Sequence, residues 1–178
     1  CIHTAADFDY ASNLYFSDGA VDLAVNLMKS GRGFTIVTDT NMALAGVNKA
    51  ALKQLNGTVR CFMADLDVAA EAKERGVTRA IVSMERAATL AGPVIFAIGN
   101  APTALIRLYE MMQKGEIHPD FIIGTPVGFV NVVESKELIC QSSVPCIVAR
   151  GRKGGSNIAA AVCNALMYQV TRTQKSGK

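Results

Sequence analysis

The stretch Val94-Ile95-Phe96-Ala97-Ile98-Gly99-Asn100-Ala101-Pro102-Thr103 decides the fold of this chain. Its first five residues form an unbroken apolar run, which is typical of a strand in a parallel sheet that is covered by helices on both faces. Pro102 suits the first position of a helix. We therefore expect a buried strand, then a turn whose backbone amides at Asn100 and Ala101 are free, and then a helix.

Two later stretches repeat this design, at 121–128 (FIIGTPVG) and at 146–156 (CIVARGRKGGS). Because the carboxyl ends of neighbouring parallel strands meet at one edge of a sheet, we expect the three glycine-rich turns to lie together there. Strand patterns alternate with helical patterns along the chain, without a repeat or a linker. The sequence therefore predicts an α/β fold, with about five parallel strands in a flavodoxin-like three-layer α/β/α sandwich.

Capping residues and apolar spacing place the other elements of this sandwich. Further strands are predicted at 34–38 and 59–63, and helices at about 17–31, 39–45, 65–76, 77–92, 102–114, 131–139 and 156–170. Residues 1–16 show no clear period. We expect residues 1–170 to form a single domain and the basic residues 171–178 to be a disordered tail.

Composition excludes several classes of protein. The chain has 178 residues and a formal charge of +3, with both signs interspersed, so it lacks the basic face of a nucleic-acid-binding protein. No apolar run approaches the roughly 20 residues that a membrane span needs. The five cysteines are scattered, which favours a reducing cytoplasm, with Cys61, Cys146 and Cys163 as core residues. Because the chain begins at Cys1 without a Met, we expect an upstream segment to be missing.

The glycine-rich turns predict an anionic ligand only when they are taken together. They match neither the dinucleotide-binding pattern nor the Walker pattern. A single glycine-rich turn of this kind is more often an ordinary connection between a strand and a helix. Together, however, they bring several backbone amides to one edge, along with Arg150, Arg152 and Lys153.

Two further cations leave alternatives open. Arg79 lies in the first turn of its helix, where the helix dipole slightly disfavours a cation. One alternative is that it pairs with Glu85 or Glu74 on the surface. The other is that its planar guanidinium group binds a substrate carboxylate. Lys136 is expected on the solvated surface of its helix.

His3 is the histidine of interest, because His118 precedes a proline and is most simply a loop residue. A lone histidine is usually structural, and His3 could pack near Phe8 or Tyr10. Asp7 and Asp9 could join it in a metal site, but that spacing is a weak signal, and no metal site is predicted.

The chain resembles the precorrin-8X methylmutase family of cobalamin biosynthesis over nearly its whole length. The residues that carry the resemblance are Ile2-His3, Thr38-Asp39 with Met42, Thr78-Arg79, the run Ala97–Leu105, Pro126–Val130 with Glu134-Ser135-Lys136, and Arg150-Gly151-Arg152 with Gly154-Gly155-Ser156. Long motifs in this order are far more specific than any glycine pattern.

The resemblance implies an isomerase that moves a methyl group from C11 to C12 of a corrinoid ring, giving hydrogenobyrinic acid or, in the anaerobic route, cobyrinic acid. It implies that His3 is the proton donor, that no added cofactor is needed, and that a homodimer binds the substrate near its interface. The substrate contacts are then expected from Asp39, Met42, Thr78, Arg79, Gly99, Asn100, Ala101, Thr103, Pro126, Val127, Gly128, Phe129, Arg150, Gly154, Gly155 and Ser156.

Two other functions compete with this interpretation. An N-terminal-nucleophile hydrolase would use Cys1 and its own α-amino group, but that class is built on antiparallel sheets. A non-catalytic carrier of a tetrapyrrole or a nucleotide would share most of the expected binding edge. The roles of Ser83, Lys136 and Lys153 do not follow from the sequence.

Overall fold

The computed structural model describes residues 1–172 of the chain. Within that range the strands are β1 (Leu14–Phe16), β2 (Phe34–Thr38), β3 (Gly57–Arg60), β4 (Val94–Ile98), β5 (Phe121–Gly124) and β6 (Cys146–Ala149). The helices are α1 (Ile2–Ala5), α2 (Tyr10–Asn13), α3 (Ala20–Lys29), α4 (Asn41–Gly46), α5 (Lys49–Gln54), α6 (Leu66–Arg75), α7 (Arg79–Ala87), α8 (Pro102–Gln113), α9 (Val132–Cys140) and α10 (Ser156–Thr171). From β2 onward, each strand is followed by one or two helices.

The strands form one sheet in the order β1-β6-β5-β4-β2-β3. β2 to β6 are mutually parallel, and β1 pairs antiparallel with β6. Counted from β2 along the chain, the parallel strands lie in the flavodoxin-like order 2-1-3-4-5. The predicted α/β class and the mostly parallel sheet are therefore confirmed. The chain reverses its direction of winding between β2 and β4, and α/β proteins bind ligands at such a switch point.

Both faces of the central strand are covered. Ile95 and Ala97 pack against the layer of α3, α4, α5 and α10, whereas Phe96 and Ile98 pack against α6, α7, α8 and α9. All four side chains are fully buried. This explains why the run at 94–98 is apolar at every position rather than at alternate ones.

Residues 1–16 contain structure that their sequence did not predict. They form α1, α2 and β1, each only three or four residues long. Elements this short show no detectable period. β1 exists because it pairs with the outer side of β6, where Tyr15 lies opposite Val148. The sheet thus gains an antiparallel edge strand beyond the expected five.

β3 ends at Arg60, short of the predicted end at Met63. The cause is Phe62, which is buried in the cluster between the sheet and helices α6 to α9 rather than in line with the strand. The chain therefore leaves the sheet three residues earlier than the apolar run suggested.

The predicted tail at 171–178 is wrong at its start, because Thr171 is the last residue of α10 and is buried. Residues 173–178 lie outside the described residues. Cys146 and Cys163 are buried as predicted, whereas Cys61 is only half-buried. In the part of the chain that the structure describes, no helix combines the length and the apolar character that crossing a membrane requires.

Candidate functional site

Three turns meet at the carboxyl edge of the sheet: 99–101 after β4, 125–128 after β5, and 150–155 after β6. The backbone N–H of Gly155 donates to the carbonyl of Thr125 at 2.8 Å. A Cβ at Gly154 would stand 2.1 Å from that same carbonyl oxygen, and a Cβ at Gly99 would stand 2.6 Å from the Cα of Ser156. Glycine is therefore required here so that backbone can pack on backbone. We call the packed backbone of these three turns the floor of the site.

The amides expected to be free for a ligand are already bound to Asp39. One carboxylate oxygen accepts the N–H of Gly99 at 2.8 Å, and the other accepts the N–H groups of Asn100 at 2.8 Å and of Ala101 at 2.6 Å. Asp39 follows β2 and is fully buried. The prediction of free amides at Asn100 and Ala101 is thus wrong, because the protein supplies its own anion at the switch point.

Asp39 fixes the shape of the turn after β4 through these three hydrogen bonds. Burial raises the pKa of its carboxyl above the ordinary value, although the amide hydrogen bonds act in the opposite direction. Both oxygens are acceptors for N–H groups, which suits an ionised carboxylate. Beside it, the hydroxyls of Thr40 and Ser156 lie 2.7 Å apart and link the start of α4 to the start of α10. Asp39 and Ser156 are therefore largely closed to solvent.

Arg79 is a free cation within the described residues. It is the first residue of α7, is exposed, and forms no ion pair or hydrogen bond there. Of its two expected surface partners, Glu85 binds Arg75 and Arg107 instead, and Glu74 forms no ion pair with Arg79. The hydroxyl of the neighbouring Thr78 lies 3.3 Å from that of Thr103 at the start of α8, so Arg79 stands at the carboxyl edge.

The two arginines of the 150–155 turn differ in availability. The guanidinium of Arg150 binds Glu137 through two nitrogens, at 2.9 and 2.6 Å, and this contact holds the pKa of the Glu137 carboxyl below its usual range. Arg152 lies over the ring of Phe129 at 6.0 Å and forms no ion pair in the part of the chain described. Arg152 is therefore open to a ligand anion, whereas Arg150 already has a carboxylate partner.

Apolar side chains stand exposed around the floor. Phe129 is 85% exposed, Val130 77%, Met42 69% and Val127 48%. Met42 lies in the first turn of α4, after β2, and the other three follow β5. We call the exposed set Met42, Arg79, Val127, Phe129 and Arg152 the rim. It combines bare apolar area with cations, as a binding surface for a large, partly apolar anion requires.

His3 lies in α1 and is exposed. Its neighbour Ile2 packs against a small cluster that includes Ala149, at the end of β6, and Ile158, in the first turn of α10. The segment that carries His3 is therefore attached beside the floor. Phe8 is exposed, so the packing of His3 into a Phe8 environment is not observed.

Asp7 and Asp9 form no metal site with His3. Both carboxylates bind the ammonium of Lys153, at 2.7 and 2.5 Å, and these contacts lower the pKa of Asp7 and raise that of Lys153. Across residues 1–172, no group of three or more His, Cys, Asp or Glu side chains converges as metal ligands would.

Lys136 is not on a solvated surface, and that prediction is wrong. It is fully buried in α9, and its ammonium donates to the carbonyls of Gly151 at 2.7 Å and Lys153 at 2.8 Å. Burial lowers the pKa of Lys136 to about 8. The burial of Lys136 could have been predicted from the sequence. Val132 lies four residues before it and Ile139 three residues after it, and these two apolar residues mark the buried face of the helix.

Ser83 lies in the core rather than in the site. It is fully buried in α7, and its hydroxyl donates to the sulfur of Met63 at 3.3 Å. Among the other motif residues, Gly99, Pro126, Gly128, Gly154 and Gly155 lie in the three turns. Pro126 is buried, and the N–H of Gly128 donates to the carbonyl of Arg152 at 3.2 Å, which joins the second turn to the third.

Fold and site together define a doubly wound α/β protein, a class whose members bind ligands at the carboxyl edge of the sheet. Residues 1–169 match the family model for precorrin-8X methylmutase. The chain belongs to the precorrin-8X methylmutase family. It is accordingly a methylmutase of cobalamin biosynthesis, an isomerase that moves a methyl group within one molecule.

Similar proteins cover almost the whole chain. A cobalt-precorrin-8 methylmutase of Priestia megaterium is 41% identical over 165 residues, which are 93% of this chain and 72% of that protein. A precorrin-8X methylmutase of Pseudomonas aeruginosa is 42% identical over 168 residues, covering 93% of this chain and 79% of that protein. The crystal structure of precorrin-8X methylmutase from Thermus thermophilus superposes with a TM-score of 0.84 at 35% identity, over 99% of this chain and 83% of that one.

Proposed function

We propose that this chain moves a methyl group from C11 to C12 of precorrin-8X or of its cobalt-containing counterpart, with His3 as the proton donor. The products would be hydrogenobyrinic acid and cobyrinic acid. The observation that carries the proposal is the rim, where exposed, unpaired guanidinium groups and exposed apolar side chains share the carboxyl edge of the sheet with the turn to which the His3 segment is attached. The names of the relatives fit the same substrate class.

The reaction requires the protein to bind the substrate and to supply one proton. A methyl shift within one molecule needs no second reactant, so catalysis rests on fixing the ring in a reactive conformation. A proton delivered to the ring shifts electron density towards the migrating centre, and a neighbouring imidazole is suited to that step near neutral pH. The reaction as proposed requires no added cofactor.

The rim suits the two kinds of surface on such a substrate. A corrinoid ring carries acetate and propionate carboxylates at its periphery, and the planar guanidinium groups of Arg79 and Arg152 match carboxylates. Its broad faces are apolar, and Met42, Val127 and Phe129 offer apolar contact area. The fully buried Asp39 lies below this surface and keeps the floor in shape.

Replacement of His3 tests the mechanism, with His118 as the matched control. His118 is the second histidine of the chain and is exposed on the loop before β5, at the opposite edge of the sheet. We expect His3→Ala to lower kcat about 10²- to 10⁴-fold, the usual contribution of a general acid, and His118→Ala to leave it unchanged. Conversion is followed by the absorption spectrum under anaerobic conditions, with each substrate form.

The same assay separates the competing functions. A wild-type protein that shifts the substrate spectrum without converting it would be a carrier. A His3→Ala variant with the wild-type rate would remove His3 from the mechanism. The mostly parallel sheet argues against an N-terminal-nucleophile hydrolase built on Cys1.

The homodimer and the cytoplasmic location belong to this proposal as well. A partner subunit laid against Phe129 and Val130 would cover part of the exposed apolar surface beside the site. The five cysteines are all free thiols, which fits a reducing compartment. Sedimentation of wild-type protein and of Val130→Glu tests the dimer, because a buried carboxylate at the interface would shift the protein towards monomer.

A further inference from the structure

We propose that Lys153 is a positioning residue for His3, and that Lys136 holds Lys153 in place from inside the protein. The inference rests on the proposed function, since it assigns the two lysines to the histidine of that mechanism. It gives a role to two cations that the substrate contacts leave unexplained.

The first step is the short helix that carries His3. α1 has four residues and buries none of them. An isolated helix of this length is not stable in water, so its position depends on what holds it. One attachment is Ile2, which packs on the cluster of Ala149 and Ile158. A second attachment is required to fix the orientation of the segment.

Lys153 supplies that second attachment. Its ammonium lies 2.7 Å from a carboxylate oxygen of Asp7 and 2.5 Å from one of Asp9. Asp7 follows α1 almost directly, and its N–H donates to the carbonyl of Ile2. Its other carboxylate oxygen accepts the N–H of Asp9 at 3.0 Å. One ammonium thus joins the third turn of the floor to the end of the helix that bears the imidazole.

Lys153 is itself held in position by Lys136. The buried ammonium of Lys136 donates to the carbonyls of Gly151 and Lys153, so the backbone of the turn is held on its inner side. The N–H of Arg150 donates to the carbonyl of Asn13 at 2.9 Å, and this bond adds a backbone link to the N-terminal segment. Contacts therefore run without a gap from the interior of α9, through the turn, to the segment of His3.

Removal of the Lys153 ammonium should make residues 2–13 more mobile and leave the rim unchanged. We expect Lys153→Met to lower kcat about 10- to 100-fold, because small displacements of a reacting group have effects of this size, while KM stays within about 2-fold. Asp7→Asn combined with Asp9→Asn should reproduce the loss, and Lys153→Arg should restore most of the rate, since a guanidinium can bridge both carboxylates. Hydrogen exchange at residues 2–13 should accelerate in Lys153→Met without change in β4 to β6.

Arg86→Met is the matched control. Arg86 is a surface cation of similar exposure that pairs with two carboxylates, Asp67 and Glu71, but it lies in the last turn of α7. Its replacement should change neither kcat nor exchange at residues 2–13.

A double-mutant cycle with His3→Ala decides the proposal. If Lys153 acts through the imidazole, Lys153→Met has no further effect on kcat in the His3→Ala background. An equal loss of kcat in both backgrounds, or a raised KM with unchanged kcat, would overturn the positioning role. If His3→Ala is impaired and Lys153→Met is not, the positioning role fails while the proposed function stands. If His3→Ala has the wild-type rate, both fail.

Discussion

The carboxylate of Asp39 accepts the backbone N–H of Ala101 at 2.6 Å, across the switch point between β2 and β4. Many α/β proteins place a ligand phosphate where this carboxylate lies. Here the anion is built into the chain, so the turn after β4 is finished before any ligand arrives. Under the proposed function, ligand anions are therefore bound by side chains of the rim, and its arginines are the groups to test.

Asp39→Asn should destabilise the fold strongly. The amide group keeps one acceptor oxygen and turns an NH₂ group towards backbone N–H donors in a buried site, which we expect to lower the free energy of unfolding by about 2–3 kcal/mol. Urea denaturation followed by circular dichroism measures this change. Asp65→Asn is the control, because Asp65 is exposed and its side chain makes no capping bond, so its effect should stay within about 0.5 kcal/mol. Equal midpoints for the two variants would contradict the role of Asp39.

Gly154→Ala and Gly151→Ala should differ sharply although they lie in one turn. The Cβ at position 154 would meet the carbonyl oxygen of Thr125 at 2.1 Å, and the backbone must move to relieve this contact. Gly151 has a φ of +78° and open space around it, so alanine there costs only the left-handed backbone, about 1–2 kcal/mol. We expect Gly154→Ala to lose at least twice as much stability as Gly151→Ala in thermal unfolding. The reverse order would show that the turns do not pack as described.

Arg79→Gln should weaken corrinoid binding and leave stability unchanged. A hydrogen bond to a charged group contributes about 1.5–3 kcal/mol, so the dissociation constant should rise about 10- to 100-fold. Because Arg79 has no partner among the described residues, its loss should not alter the unfolding midpoint. Titration with hydrogenobyrinic acid, monitored by absorbance, measures the affinity. Arg32→Gln, on the loop before β2 at the opposite edge, should bind as the wild type does, and unchanged affinity in Arg79→Gln would exclude a substrate contact there.

Lys136→Met should reveal the titration of the buried ammonium. The pKa of Lys136 is lowered by burial to about 8, while an unfolded lysine titrates at about 10.4. Between these values the unfolded chain binds a proton that the folded chain has released, so this group makes stability rise with pH. The neutral amine still has two N–H groups for its two carbonyl partners. The stability of wild type relative to Lys136→Met should therefore increase from about pH 8 to about pH 10.

Exposed Lys114 provides the comparison for this pH series. Lys114→Met removes a lysine at the end of α8 that is exposed rather than buried. Its stability difference from wild type should stay constant over the same range in urea denaturation. A Lys136→Met difference that is equally flat would show that the lysine titrates as an exposed one does.

Most of the fold followed from the apolar runs. A strand covered on both faces must be apolar at every position, and the run at 94–98 has that pattern, so the parallel sheet was predictable from local sequence. β1 was not predictable, because three residues carry no period and the strand depends on its pairing with β6. β3 was misplaced because Phe62 is as apolar as a strand residue but packs in the helical layer.

The meeting of the three turns was predictable, but the pairings of their side chains were not. Glycines after consecutive strands located the floor, since backbone contact needs residues without side chains. The partners of Asp39, Arg150 and Lys153 come from distant parts of the chain, and no spacing rule identifies them. Lys136 is different, because apolar residues on either side of it already marked its helix face as buried.

The floor is held together by close backbone contacts between its turns and by the buried carboxylate of Asp39, whereas the rim is made of exposed side chains. A consequence is that rim residues can change in evolution faster than floor residues. Substitutions confined to the exposed Val127 and Phe129 would leave almost every variant folded, so, under the proposed function, a library at these two positions is the way to change which ring substituents are accepted. The same number of changes among Asp39, Gly99 and Gly154 would mostly be lost to misfolding before any selection for a new ligand began.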